Sequence, residues 1–196
     1  MPELNLKNAL LGKDNNFIHN KIIVFQNIKF NENLIVDLEN FKLQYEVTFF
    51  NCCFEKDIEL KNIKSNHRFS YRICLFKGSV NINNVDIHDF EFTSSNIKKL
   101  ELTNGNYNIF QLEDSNLGEL FIKSGKFGAL YMLGRLQGVG KGNTQCKRLI
   151  IQGNELLSGY FSIQKQEIDK IVLRNIKLNI IIGLFDVKTN NLFVYP

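Results

Sequence analysis

The sequence predicts an all-β chain wound as a parallel β-helix: about seven coils of about twenty residues, with a cap at each end. Three observations predict it. Leu100, Phe110, Leu120 and Leu130 recur every ten residues, each with an apolar partner two places on: Leu102, Leu112, Ile122 and Met132. Between them, at the same offset, lie pairs that begin with a small residue: Gly105/Tyr107, Ser115/Leu117 and Gly125/Phe127. Both prolines, Pro2 and Pro196, lie at the termini, which suits uninterrupted ladders because proline cannot donate to one.

An apolar residue, any residue and a second apolar residue point both apolar side chains to one side of an extended backbone. Two further residues turn the chain onto the next face. Four faces then make a coil, and coils stack at about 4.8 Å, so seven of them are about 34 Å long.

Residues one coil apart should then match in kind. The first face carries Val47/Phe49, Phe69/Tyr71, Phe90/Phe92, Phe110/Leu112 and Leu130/Met132. The second carries Cys52/Phe54, Cys74/Phe76, Ser95/Ile97 and Ser115/Leu117. The third carries Ile58/Leu60, Val80/Ile82, Leu100/Leu102 and Leu120/Ile122; the fourth carries Ile63/Ser65, Val85/Ile87, Gly105/Tyr107 and Gly125/Phe127. Large stacks on large and small on small, with one-residue insertions before 58, 69 and 80.

An earlier coil is expected from Ile23/Phe25, Ile28/Phe30, Val36/Leu38 and Phe41/Leu43. Later ones are expected from Leu149/Ile151, Asn154/Leu156, Phe161/Ile163, Ile171/Leu173 and Ile176/Leu178. The solenoid thus spans 22–178, with an irregular loop at 134–148. Its ends need covers, because terminal coils present unpaired strand edges. Residues 1–21 read as an N-terminal cap with a short helix in "PELNLKNALLG". Residues 179–196 read as a C-terminal cap or hairpin turning at "KTNN".

"SSNIKK", "DSNLGE" and "SGKFGA" resemble the A(D/N)Lxx unit of pentapeptide-repeat proteins: a small inward residue, then a large apolar centre. The resemblance covers roughly 45–132 well and 149–178 loosely, and departs on two faces where Phe or Leu replaces the small residue. It implies a right-handed quadrilateral β-helix, often dimeric through one end. Some members of that family bind type II topoisomerases through acidic, DNA-like surfaces.

Composition narrows the function classes. The 196 residues suit one domain, and no apolar run approaches the eighteen or so residues of a membrane span. The N-terminus lacks a long apolar stretch, so no secretory signal is expected. Cys52, Cys53, Cys74 and Cys146 lack metal-finger or CxxC spacing and read as free thiols, which makes a cytoplasmic location the expectation. Of the 24 basic residues, Arg135, Lys141, Lys147 and Arg148 share the acid-free segment 134–148, and the rest balance the 20 acids. One basic patch argues against broad nucleic-acid binding, which neutralises many phosphates, and equally against a DNA-like acidic surface.

Candidate chemistry is sparse. The segment "GRLQGVGKGNTQCKR" suggests an anion cradle of Arg135, Lys141, Lys147 and Arg148, but Arg135 and Gly142 stand where a P-loop needs Gly and Ser or Thr. As a loop it should leave the coil near Leu133, return at Leu149, and hold its cations largely in solvent. Glu59 and Glu101 lie two coils apart on the third face, about 9.6 Å, near the spacing of an inverting glycosidase pair, with Asn81 between them. His19, His67 and His88 share no face, and Cys53 lacks a neighbouring base. No catalytic residue, metal site or cofactor is expected.

The outward residues of the third face change along the stack. Glu59, Asn81 and Glu101 give way to Phe121, Ile150 and Val172, rimmed by Lys123, Gln152 and Arg174, with Tyr131 and Ile182 outward on the first face. A contiguous apolar patch on a solvated face is a candidate interface. The expected function is therefore a non-enzymatic scaffold that binds a protein partner or itself. The alternative is a small anionic ligand or nucleotide binder using 134–148, and the third is a carbohydrate-active enzyme.

Overall fold

The computed structural model describes residues 6–38, 41–134, 144–164, 166–175 and 179–195, and only the backbone of 15, 144, 153–158, 179 and 180. The chain winds as a β-solenoid of about seven turns whose coils stack in parallel. On the first face Val47 lies level with Phe69, Phe69 with Phe90, Phe90 with Phe110, and Phe110 with Leu130. On the third face Ile58, Val80, Leu100, Leu120, Leu149, Ile171 and Leu192 follow one another in the same way. The insertions show as shifts of register between Phe76 and Ser79 and between Ile87 and Asp89.

The core is the column inside the coils. Phe69, Phe90 and Phe110 are buried, with ring centroids 5.2 and 5.5 Å apart and planes within 17° of parallel. Phe30, Phe54 and Phe76 stack likewise at 4.8 Å spacings. The solenoid forces this arrangement: equivalent side chains sit one strand spacing apart, which is the distance at which flat rings stack. Gly105 gives room on the fourth face, since a Cβ there would run into the Tyr107 ring.

Corners are made by residues in the left-handed region. Asn27, Asn51, Ile73, Ser94 and Asp114 mark one corner at φ 57, 50, 56, 50 and 49°. Asn62, Asn84, Asn104 and Ser124 mark a second at 51–55°. Asn is the favoured type because its side chain tolerates this conformation and can bond locally. Here the amides also tie coils together, Asn51 donating to Asn27 at 2.7 Å and Asn84 to Asn62 at 2.6 Å. The next residue inward is a small donor: Cys52, Cys74, Ser95 and Ser115 each donate to the carbonyl two residues back. Cysteine therefore stacks over serine because the corner needs a compact X–H group there.

At the N-terminal end the helix Leu6–Leu10 buries Leu6, Ala9 and Leu10 over the column. Gly12 closes it at φ 70°, where its amide donates to the Ala9 carbonyl at 2.9 Å and a Cβ would collide with the Tyr45 ring.

Three expectations need correction after residue 133. Strand structure resumes at Thr144, not Leu149: Cys146 lies level with Leu117, and Arg148 with Glu119. Beyond it Leu157, not Asn154, lies level with Gly125. No terminal hairpin forms among the described residues either. Asn179–Phe185 and Lys188–Tyr195 run parallel to the preceding coil, with the "KTNN" residues inside the second of these strands. Leu192 and Val194 continue the third-face column, so the apolar alternation outweighs the turn signal.

Candidate functional site

The third-face ladder is in the expected register. Ile35, Glu59, Asn81, Glu101, Phe121, Ile150 and Val172 lie level in successive coils, and Phe193 extends the series. Phe121 and Ile150 are half-buried. Val172 is only 3% exposed, enclosed in the ladder between Ile150 and Phe193, whereas Phe193 stands 37% exposed. The surface on offer is thus Phe121, Ile150 and Phe193, with Val172 as its floor. Lys123, Gln152 and Arg174 form one rim in register. Lys170 and Arg174 reach over Phe193 and Tyr195, at 4.7 and 5.2 Å from the ring centroids.

Of the two first-face positions, Tyr131 lies where expected, level with Gln111 and Ser162. Ile182 is not outward at all: it continues the inward column under Phe161, and Gly183 takes the outward position. The step from 161 to 182 is 21 residues, and one residue beyond twenty turns every side chain to the opposite face.

A neighbouring surface was not legible as such. Of the thirteen large apolar side chains that stand exposed among the described residues, eight lie between Tyr160 and Tyr195. They include Leu184, Leu192 and Val194, at 47, 56 and 68% exposure, whose counterparts one coil earlier point into the core. The apolar alternation of 179–195 held the signal, but it read as a hairpin.

The carboxylates are engaged. Glu59 lies 3.7 Å from Lys61 and Glu101 lies 3.1 Å from Lys99, with Asn81 level between them. Of the basic candidates, Arg135 and Lys141 lie outside the described residues. Arg148 is ion-paired with Glu119, while Lys147 is exposed. Arg148 and Lys147 therefore belong to a strand, not to the loop expected there.

The thiols suit packing. Cys146 is buried and its pKa is pushed up to about 12 by that burial. Cys74 is also raised, by its hydrogen bond with Cys52 and then by burial. His19 and His67 are exposed, and His88 meets Asp89 at 2.9 Å. Among the described residues no group of three or more His, Cys, Asp or Glu is arranged to hold a metal ion. No helix among them is long and apolar enough to cross a membrane.

The site and fold define a β-solenoid with an apolar surface toward its last coils. Comparison with protein-family models, curated proteins and solved structures gave no match in any of the three.

Proposed function

We propose that this chain is a non-enzymatic scaffold that binds another protein through the apolar surface of its last coils. The observation carrying this is the change of the third-face ladder from Glu59, Asn81 and Glu101 to Phe121, Ile150, Val172 and Phe193. A solvated face has no reason to make that change, since contiguous exposed apolar area favours association by removing it from water. The adjacent Leu192 and Val194 enlarge the same surface, and cations rim it, as at the edge of many interfaces. The partner is a protein with a complementary apolar face, or a second copy of this chain.

The same proposal includes kinship to pentapeptide-repeat proteins. It is supported by the small inward donors Ser95 and Ser115 at one corner of successive coils, where each Oγ accepts the amide of the residue one coil earlier at 3.1 Å.

The double variant Phe121→Glu, Phe193→Glu tests the interface without placing a charge at the enclosed Val172. It should keep its far-ultraviolet circular dichroism, and light scattering should show a smaller mass, or a copurifying protein should be lost. A wild-type chain that is monomeric and partnerless, or a double variant indistinguishable from it, would sink the proposal.

A further inference from the structure

Where the second face turns into the third, one residue per coil stands at the corner. Glu55, Lys77, Lys98, Gly118, Lys147 and Asp169 occupy this position in successive coils, since each follows an inward residue in register with its counterparts, with Gly78 as an extra residue after Lys77. Gly118 interrupts a row of cations. A Cβ there would run into the Lys98 carbonyl oxygen, so the coil closes at this point only with glycine. A depression of about 260 Å³ lies here, with Gly118 between Lys98 and Lys147 in its lining.

Among the described residues its lining is cationic and amide-bearing, with no carboxylate. Asn96, Asn116 and Gln145 stand along one side, and the edges of Ile97 and Leu117 form the floor. Asn96 accepts from the Asn116 amide at 3.1 Å, which leaves the Asn96 NH₂ group to donate outward. The Asn116 oxygen is occupied by the Gln145 backbone amide at 3.3 Å and its NH₂ group by the Asn96 oxygen, so of this pair only the Asn96 NH₂ group is left to donate among the described residues.

The two lysines also differ from their neighbours. Lys77 is held by Glu55 at 2.9 Å, Lys99 by Glu101 at 3.1 Å, and Arg148 by Glu119. Among the described residues Lys98 and Lys147 have no ion-pair partner. One coil beyond, Glu167 is paired with Lys188 at 3.9 Å, and Asp169 is the nearest acid in the row. The Cα atoms of Lys98 and Lys147 are about 9.6 Å apart, two strand spacings, and side chains of this length can converge from both sides on an ion over Gly118.

The geometry points to an oxyanion site at the Gly118 notch: a phosphate or carboxylate group held between Lys98 and Lys147, with Asn96 donating. It lies apart from the third-face surface and does not depend on it. A free oxyanion and the anionic group of a small metabolite share this chemistry. The size of the depression suits the second, with a short apolar body over Ile97 and Leu117.

The test is an amide-correlation NMR titration of the full chain at about 0.15 M ionic strength, where loose attraction to exposed charges is screened. The probes are inorganic phosphate and, separately, phenyl phosphate, with chloride as the control. Phosphate should shift the Gly118 amide saturably. Phenyl phosphate should do so at several-fold lower concentration, also moving Ile97 and Leu117. Lys98→Gln and Lys147→Gln together should weaken binding at least tenfold, while Lys64→Gln, on another face, should leave it unchanged. The spectrum itself reports whether each variant is folded. No saturable shift at Gly118, saturable shifts centred elsewhere, or an unchanged affinity in the double lysine variant would overturn the site. Equal affinity for the two probes would overturn the metabolite assignment and leave a site for a free oxyanion.

Discussion

Phe90 shows how much of this protein rests on single side chains. Its ring lies between Phe69 and Phe110, within 17° of parallel to each, and all three are buried. Phe90→Ala would remove a layer from the column and leave a cavity that rigid coils cannot collapse around. The expected loss is about 3–5 kcal/mol, read as a shift in a urea melt. Ile73 makes the opposite case. It stands at φ 56° where the equivalent residues are Asn51, Ser94 and Asp114, and its side chain is exposed. A β-branched residue is strained there, so Ile73→Asn should stabilise the chain by about 1 kcal/mol, measured in the same melt. The stacking was legible in the sequence because the aromatic repeat is periodic. The strain was not, because the left-handed conformation belongs to the corner and not to isoleucine.

At the scale of strands and corners, Glu55 joins two coils. Its carboxylate meets Lys29 at 3.1 Å and Lys77 at 2.9 Å, and the Lys77 hydrogen bond, then that of Lys29, holds its pKa down at about 2 against an ordinary 4.5. A carboxyl group with a lowered folded-state pKa adds stability above its unfolded value and loses it as it protonates. Glu55→Gln should therefore be less stable than wild type at pH 7. The difference should close as pH falls from about 4.5 toward about 2, measured by urea melts across that window. A difference independent of pH would assign the effect to packing. The corner row containing Glu55 also contains the Gly118 notch, and that site was only half legible. Lys147 was a candidate anion ligand from its glycine-rich surroundings. Its partner Lys98 lies 49 positions away in sequence, and only the coil register sets them on either side of one glycine.

At the scale of the whole molecule, each coil touches only its neighbours, so protection should vary along the axis. Asn96–Glu113 and Asn116–Leu133 are hydrogen-bonded to a coil on each side. Asn179–Phe185 and Lys188–Tyr195 pair with one coil each among the described residues. Amide hydrogen exchange should be slowest in the first pair of strands and fastest in the second when the protein is dilute. Protection of 179–195 that rises with protein concentration would locate self-association at that end. Uniform protection in dilute solution would mean that the chain opens as one unit.

The sequence by itself determined the coil. Apolar pairs two apart, repeated every five residues and matched in size every twenty, are compatible with a stacked parallel solenoid and with little else, because each coil must bury what its neighbour buries. It also determined the third-face ladder from Glu59 to Val172, since outward positions follow from inward ones by alternation. Tertiary structure decided what depends on counting residues through irregular stretches. One residue beyond twenty between Phe161 and Ile182 turned Ile182 inward, and the resumption at Thr144 moved Lys147 and Arg148 onto a strand. It also decided which charges find partners. Arg148 meets Glu119 and Lys77 meets Glu55, while Lys98 and Lys147 face a gap, because these pairings depend on distances across coils that no local pattern encodes.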